Sequence, residues 1–260
     1  MTIWTTSTVI AIPFIGPDLS LFIRGDFVVG DATLNRFFSF HVIAVPLVLL
    51  ALVAAHLVAL HEVGSNNPDG VEIKKLKDEH GVPLDGIPFH PYYTVKDIVG
   101  VIVFLMVFSA ILFFAPEMGG YFLEQANFVP ADPLKTPAHI APLWYFTPFY
   151  AILRAVPPLF GSQFPGVVAM GLSIVLMFFL PWLDRSKVKS IRYRGPIYKI
   201  MLALFVVSFI GLGYLGLLPS TPVATIFAQV FSVIYFLFFL LMPWYTSIDK
   251  TKPEPERVTG

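Results

Sequence analysis

From Phe37 to Leu60 the chain carries only two ionisable side chains, His41 and His56, in an otherwise apolar stretch. A polar group inside a membrane span is costly, so it is by default a sign of function. On an α-helix, their spacing corresponds to about 22 Å along the axis and about 60° around it. Two imidazoles near opposite bilayer faces suit axial ligation of two stacked haems. Alternatively, each imidazole merely hydrogen-bonds a neighbouring helix, and the spacing alone leaves both interpretations open.

These histidines require a transmembrane helix, and the composition provides several. Hydrophobic residues make up 56% of the 260 residues and charged residues 13%, against about 25% charged in a soluble domain. A bilayer core of about 30 Å requires about 20 apolar residues per helix. We therefore predict an all-α fold, a polytopic membrane helical bundle with about five transmembrane helices plus a re-entrant or interfacial helix. Runs without Lys, Arg, Asp or Glu predict spans near 37–60, 98–115, 164–183, 200–218 and 223–245.

Three further segments are not expected to cross the membrane. Trp144–Ile152 is apolar but short, so we predict a re-entrant or interfacial helix whose ends must be covered by protein. Thr2–Phe27 is interrupted by prolines and charges and is expected to lie along the surface. The tail, Lys250–Gly260, is expected to be disordered or loosely attached.

The composition also excludes several kinds of site. The chain has no cysteine, which excludes disulfides, thiolate metal sites and iron-sulfur ligation by this chain. Its net charge of zero gives no reason to expect a nucleic-acid partner. The sequence contains neither a Gly-rich phosphate loop nor a nucleophile triad.

Basic residues divide the loops into two sets, which predicts the orientation by the positive-inside rule. The set assigned to the outside holds only Arg24, Arg36, Lys135 and Arg154. An external N-terminus without a signal peptide is hard to insert, so we expect transmembrane helices to precede Met1. The C-terminus is expected in the cytoplasm. The cytoplasmic set consists of Lys74, Lys75, Lys77, Lys96, Arg185, Lys187, Lys189, Arg192, Arg194, Lys199, Lys250, Lys252 and Arg257.

Three segments carry long motifs, in one order along the chain. The first joins NRFFSFH at Asn35–His41 to HLVALHEVGSNNP at His56–Pro68. The second is FHPYYTVKD at Phe89–Asp97, and the third is PLWYFTPFYAILRAVP at Pro142–Pro157. Together they resemble cytochrome b, the haem-carrying, quinol-oxidising subunit of cytochrome bc complexes. The resemblance covers essentially the whole chain and identifies it as the C-terminal part of such a subunit, from the fourth transmembrane helix onward.

The resemblance implies two b-type haems. It makes His41 a ligand of the low-potential haem near the outer face, and His56 a ligand of the high-potential haem near the cytoplasm. Bis-imidazole iron has no open position, so such haems pass electrons and do not activate oxygen. The second ligand of each haem is implied to come from N-terminal cytochrome b helices that precede this region. Arg36 is implied to lie near a propionate of the outer haem.

Two quinone sites are implied as well. His61, Ser65 and Asp97 match positions that line the cytoplasmic quinone-reducing site, where an imidazole beside a carboxylate suits proton delivery. Without the resemblance they would be an ordinary polar cluster at a membrane face.

The quinol-oxidising loop is matched by Pro142, Trp144 and Tyr145, and Tyr150 matches a tyrosine that packs against the oxidation site. Most family members have glutamate where this chain has Leu143, and leucine cannot accept a proton. As an alternative, Trp144 and Tyr145 form only an interfacial aromatic belt.

The implied function is that of the cytochrome b subunit of a proton-translocating quinol:cytochrome c reductase in a bacterial inner membrane. Its implied partners are a Rieske iron-sulfur protein, a cytochrome c1-type subunit and a ubiquinone-type quinol, in a dimeric complex. We divide the chain into residues 1–61, a surface segment with the haem-ligating helix, and 62–260, the remaining helices with the quinol-site loop. The rival hypothesis is a haem-free remnant or assembly partner.

The predicted orientation can be tested by cysteine labelling, because the chain has no cysteine of its own. Lys187→Cys and Lys252→Cys should react with a membrane-impermeant maleimide only from the cytoplasmic side. Lys135→Cys, in the opposite set of loops, serves as the control and should react only from outside. External labelling of both Lys187→Cys and Lys252→Cys would overturn the orientation.

Overall fold

The computed structural model describes residues 8–120, 128, 130 and 141–259. Helices make up the regular structure of these residues, apart from two isolated β-bridges, which confirms the all-α prediction. The helices are α1 (Gly16–Arg24), α2 (Asp31–Val63), α3 (Tyr92–Phe114), α4 (Thr147–Ala155), α5 (Phe164–Phe178), α6 (Leu180–Leu183), α7 (Pro196–Leu217), α8 (Pro222–Leu240) and α9 (Met242–Ile248).

Four of these helices, α2, α3, α7 and α8, are long and apolar enough to cross a membrane. The fifth predicted span, 164–183, is interrupted, because α5 has only 15 residues and ends before α6 begins. Pro181 explains the interruption, since it has no N–H to donate to the carbonyl four residues earlier, at Met177. The prediction of about five spans therefore corresponds to four long helices and one shorter, broken one.

The chain divides into two compact units, each of which is described by itself. The first contains residues 1–71 and 133–256, and the second contains 72–132 and 257–260. Helix α3 belongs to the second unit, and the other helices belong to the first. The division into 1–61 and 62–260 stays a prediction.

Helices α4, α5, α7 and α8 of the first unit pack around one core. Side-chain packing is the main source of such association in a membrane. The hydrophobic effect contributes little there, because lipid tails are as apolar as the side chains. The hydroxyl of Tyr235 on α8 donates to the carbonyl of Ser173 on α5 at 2.7 Å, which ties two helices through a buried polar contact. The most deeply buried large side chains are Ile152, Leu212, Tyr235, Phe239, Met242 and Tyr245.

Two glycines let the backbone of α4 approach its neighbours. Gly216 on α7 lies against the backbone of Thr147, where a Cβ atom would overlap the carbonyl group. Gly166 on α5 lies equally close to the carbonyl of Leu153. Small residues serve this purpose at helix interfaces in membranes. The short helix α4 is therefore held between α5 and α7 at backbone distance.

Side-chain amides cover the carbonyl end of α4. Gln163 Nε2 donates to the carbonyls of Leu153 and Val156 at 2.8 and 2.9 Å. Gln229 Nε2, on α8, donates to the carbonyl of Ala155 at 3.0 Å. The last carbonyls of a helix have no partner within the helix, so these amides satisfy groups that would otherwise be unpaired. The predicted short helix is thus present, and protein covers its end.

The C-terminal tail is not loosely attached, and that expectation was wrong. Within the first unit, the backbone N–H of Lys252 donates to the carbonyl of Tyr193 at 2.7 Å, and the Glu254 carboxylate accepts from the N–H of Lys189. Within the second unit, Arg257 forms a two-pronged ion pair with Asp85 at 2.7 to 2.9 Å. The polar composition of the tail matched disorder, but specific partners order it.

The close approach at Gly216 predicts a stability difference between two glycine substitutions. Gly216→Ala inserts a methyl group against the backbone of Thr147 and should lower the stability by about 1 to 3 kcal/mol. Gly171→Ala is the matched control, because Gly171 lies inside α5 with nothing within 4 Å of the added Cβ. The control should be neutral or stabilising by about 0.5 to 1 kcal/mol. Thermal unfolding of the purified protein measures both, and equal unfolding temperatures would contradict the packing described.

Candidate functional site

Helix α2, which carries His41 and His56, contains one turn of π-helix at Phe40–Ala44. There the N–H of Val45 donates to the carbonyl of Phe40, five residues earlier. The cause lies in the next residue, since Pro46 has no N–H and its ring crowds the carbonyl of the preceding turn. Such a turn accommodates about one additional residue within the helix. Pro46 therefore changes the winding of α2.

The π-turn alters the angle between the two histidines but keeps them on one face. One inserted residue removes about 100° of rotation, so an angle of about 60° becomes about 40° in the opposite sense. Both side chains are exposed on a helix whose most apolar window is 0% buried. Within the described residues, neither His41 nor His56 has a hydrogen-bond partner. An imidazole nitrogen can ligate haem iron, and both imidazoles lie on one apolar face without a hydrogen-bond partner in the described part of the chain. The pair therefore fits haem ligation.

His61 and Ser65 lie at the end of α2 and just beyond it, and the loop that follows is firmly held. The Asn67 side chain folds this loop by accepting from the N–H groups of Asp69 and Val71 and donating to the carbonyl of Val71. Its distances are 2.7 to 3.2 Å. Side chains of this type commonly organise turns in this way. The loop conformation is thus set next to the predicted quinone-site residues.

A buried carboxylate then fastens this loop to the loop between α6 and α7. Asp69 is 0% exposed, and its Oδ1 accepts from Arg192 Nη1 at 2.9 Å and from the Tyr193 hydroxyl at 2.8 Å. The Ser190 hydroxyl donates to the carbonyl of Pro68 at 2.5 Å. A buried charge is tolerated when it is paired and hydrogen-bonded, so this junction holds the end of α2 in place.

The remaining predicted residue of the quinone-reducing site, Asp97, lies on α3 in the second unit and is exposed. Next to it, the ammonium group of Lys96 lies 5.4 Å from the ring centroid of Tyr93. In the same unit the Arg257 guanidinium holds the pKa of Asp85 below its usual value by hydrogen bonding. This ion pair therefore stabilises the folded state at pH values above the ordinary aspartate pKa. The stabilisation is lost as the pH falls through the lowered pKa of Asp85.

Arg36 was predicted to face a haem propionate, and the structure gives its guanidinium a contact within the chain. Its Nη1 donates to the carbonyl of Phe22 on α1, and its Cζ lies 5.6 Å from the Phe22 ring centroid. Arg36 also lines a cavity of about 440 Å³ together with Asp18 and Asp26. The propionate assignment for Arg36 stays a prediction.

The predicted quinol-oxidising loop forms a 3₁₀ turn at Trp144–Phe146 that leads directly into α4. The Thr147 hydroxyl donates to the carbonyl of Trp144 at 2.6 Å and joins the turn to the helix. The ring of Tyr145 contacts that of Trp144 edge-on, with centroids 5.5 Å apart. Leu143 is 42% exposed, and Pro142, directly before it, is half-buried. The motif residues therefore line an accessible aromatic surface.

Tyr150 lies on α4 beneath the guanidinium of Arg154, whose Cζ is 4.3 Å from the phenol ring centroid. Burial raises the pKa of the Tyr150 phenol, and the charge of Arg154 partly offsets this. The phenol therefore stays protonated at neutral pH and can donate a hydrogen bond. Arg154 also donates to the carbonyls of Leu215 and Leu218 at 2.7 and 3.0 Å, and so closes the C-terminal end of α7.

Three residues of these sites were missed by the sequence interpretation. Arg154 was counted only as an external basic residue, Asp69 was not singled out, and Gln229 was overlooked. Gln229 did carry a signal, because an amide inside an apolar span usually has a buried partner. The partner of Asp69 is 123 residues away along the chain, and no local pattern announces such a pair.

Comparison with known families gives two matches that follow one another along the chain. Residues 2–121 match the model described as cytochrome b(N-terminal)/b6/petB. Residues 130–236 match the model described as cytochrome b(C-terminal)/b6/petD. The prediction that the chain corresponds only to the C-terminal part therefore needs correction, since both models match.

Curated relatives and a solved structure agree with these matches. Cytochrome b of Allochromatium vinosum is 59% identical over 100% of this chain and 64% of its own length. Cytochrome b of Rickettsia prowazekii is 47% identical over 95% of this chain and 58% of its own. A solved chain described as a hyperthermophilic respiratory Complex III superposes with a TM-score of 0.80 at 37% identity, covering 95% of this chain and 62% of that one. The chain thus spans less than two thirds of these relatives.

Proposed function

Because the chain belongs to the cytochrome b family of the bc1 and b6f type, we propose that it is the haem-carrying membrane subunit of a quinol:cytochrome c oxidoreductase. In this role it contributes to quinol oxidation at the outer face and to quinone reduction near the cytoplasm. Electron transfer links the two reactions and is coupled to proton translocation. The four long apolar helices make it a multi-pass membrane protein, and the respiratory Complex III neighbour supports the assignment.

The observation that carries this proposal is the pair of imidazoles on α2. His41 and His56 lie on one face of one apolar helix, about 22 Å apart along its axis, and have no partner among the described residues. We assign His41 and His56 as the residues that would hold haem iron, His41 in the outer haem and His56 in the haem near the cytoplasm. When bound, b-type haems with two imidazole ligands transfer single electrons.

Each of these haems requires a second imidazole. None of His61, His80 and His90 lies within the apolar part of a span, and His139 lies outside the described residues. We propose from the family resemblance that N-terminal cytochrome b helices supply the second ligands. Arg36, near the outer end of α2, is suited to pair with a propionate, since guanidinium and carboxylate form strong hydrogen bonds.

At the cytoplasmic side we assign His61 and Ser65, in the first unit, to a quinone-reducing site. Asp97, in the second unit, is assigned to the same function on the family resemblance alone. An imidazole has an ordinary pKa near neutrality and can release a proton to a quinone that is being reduced. A carboxylate can then transfer a proton from water to the imidazole, which restores the protonated imidazole. The Asn67 turn and the Asp69 ion pair support this role, because they hold the loop that follows Ser65.

At the outer side we assign Pro142, Trp144, Tyr145 and Tyr150 to quinol oxidation. The exposed turn and its aromatic rings provide a surface on which a quinol ring can stack. The protonated phenol of Tyr150 can donate a hydrogen bond to a quinol oxygen. Leu143 accepts no proton, so we propose that another group or a water chain takes the quinol proton.

The further partners follow from the same role. We propose a Rieske iron-sulfur protein and a cytochrome c1-type subunit as electron acceptors, a ubiquinone-type quinol as substrate, and a dimeric complex in a bacterial inner membrane. A relative from Bradyrhizobium diazoefficiens bears the name cytochrome b/c1, which supports a c1-type partner. The basic loops support a cytoplasmic C-terminus and an external N-terminus.

Replacing the proposed ligands should remove haem. His41→Leu and His56→Leu each fit an apolar span but cannot ligate iron, so each variant should lose one b-type signal from the reduced-minus-oxidised spectrum. His80→Leu is the matched control, because His80 lies in a loop outside the spans. It should keep both signals. A complex with both haems intact in His41→Leu or in His56→Leu would sink the ligand assignment.

The residue at Leu143 tests whether the oxidation site is competent as it stands. If another group accepts the quinol proton, Leu143→Glu should change quinol oxidation by less than about tenfold, or about 1.4 kcal/mol in the barrier. Leu143→Gln is the control, since it matches glutamate in shape but carries no charge. Turnover with quinol is measured in all three proteins. A parent that binds haem yet oxidises no quinol, and gains activity only in Leu143→Glu, would refute the claim.

A further inference from the structure

A crevice with an apolar wall and a charged rim opens in the first unit, where the ends of α5 and α8 meet the start of α7. Its volume is about 820 Å³, within the range of about 300 to 1,000 Å³ that is usual for ligand sites. Leu202, Phe205 and Phe238 contribute to the apolar wall. Lys189 and Arg194 contribute to the rim. The crevice therefore offers hydrocarbon contact at one end and positive charge at the other.

The guanidinium of Arg194 is the key group of this rim. Its side chain is only 10% exposed, and its Nη2 donates to Asp184 Oδ2 at 2.6 Å. Its Cζ lies 4.2 Å from the ring centroid of Tyr198. The other terminal nitrogen, Nη1, is buried and has no acceptor among the residues that the structure describes. A buried donor without a partner is costly, so an acceptor that reached Nη1 would satisfy an unmet hydrogen bond.

The charge around the crevice selects the kind of acceptor. The loop from Asp184 to Arg194 contains five basic residues and one acidic residue. Asp184 neutralises one of these charges through its pair with Arg194, and the buried Asp69 neutralises another through its pair with Arg192. A phosphate oxygen would receive a charge-assisted hydrogen bond from Nη1, which is stronger than the bond that a neutral oxygen could accept.

We propose that this crevice binds one anionic phospholipid, with its phosphate at Arg194 and an acyl chain along the wall formed by Leu202, Phe205 and Phe238. Basic pockets between transmembrane helices at the cytoplasmic face are suited to acidic head groups. A lipid matches the crevice because it joins an anion to hydrocarbon, whereas a quinone has a neutral head. The site requires only that the chain lies in a membrane, so it does not depend on the proposed electron transfer.

The test uses the intact purified complex, from which lipid has been exchanged for detergent. Native mass spectrometry then measures the binding of added phosphatidylglycerol and, separately, of phosphatidylcholine. Arg194→Gln should weaken phosphatidylglycerol binding at one site by at least about tenfold, or about 1.4 kcal/mol. Lys187→Gln is the matched control, because it removes a charge from the same loop at a residue outside the crevice, and it should leave binding within about twofold.

A second variant protects the test against misfolding, because Arg194 also pairs with Asp184. Met177→Trp fills the apolar wall and leaves the guanidinium in place. It should reduce phosphatidylglycerol binding at the same site, and the haem spectrum should stay unchanged. Weaker phosphatidylglycerol binding at this site in both variants, with the anionic preference lost in Arg194→Gln, would support the proposal.

Four results would overturn it. The first is equal affinity for the two lipids in the parent complex. In the second, inorganic phosphate displaces phosphatidylglycerol from this site, which would indicate a site for a free anion. In the third, decylubiquinone displaces the lipid one for one, which would indicate a quinone site. The fourth is cross-linking of Met177→Cys to a partner subunit, which would indicate that a protein helix fills the crevice.

Discussion

The carbonyl groups that end α4 and α7 impose the constraint on which the first unit depends. Backbone groups that leave a helix in an apolar environment must find a partner within the protein. Gln163 and Gln229 provide that partner for α4, and Arg154, which itself lies on α4, provides it for α7. Helix α4 thus satisfies the carbonyl end of α7, whereas Gln163 and Gln229, which lie outside α7, satisfy the carbonyl end of α4. Gly216 brings the backbones of α4 and α7 together.

This arrangement makes the proposed quinol-oxidising loop a rigid feature. The turn at Trp144–Phe146 enters α4 through the Thr147 hydroxyl, and α4 is held at both flanks and at its carbonyl end. Exposed aromatic rings can keep a fixed orientation only when the backbone behind them is held in this way. Arg154 has two roles here, because it stacks on Tyr150 while closing α7.

Helix α2 is positioned by a different means. Its apolar surface has almost no cover from the described chain, so packing within this chain does not orient it. The structure holds it near its two ends instead, through Arg36 and α1 at one end and the Asp69 junction at the other. Helix α2 is therefore exposed over its length and tied near its ends. The exposed histidines belong to that surface.

The sequence by itself determined the all-helical membrane fold, four of the five proposed spans and the existence of the short helix after Trp144. It also predicted the histidine pair, because both an apolar run and a costly imidazole within it are local properties of composition. It could not predict the break at Phe179, the order of the tail or the partners of Asp69, Arg154 and Gln229. A buried polar group is satisfied by whichever distant residue the fold brings to it. Those pairings, and the unpartnered nitrogen of Arg194, were decided by the tertiary structure alone.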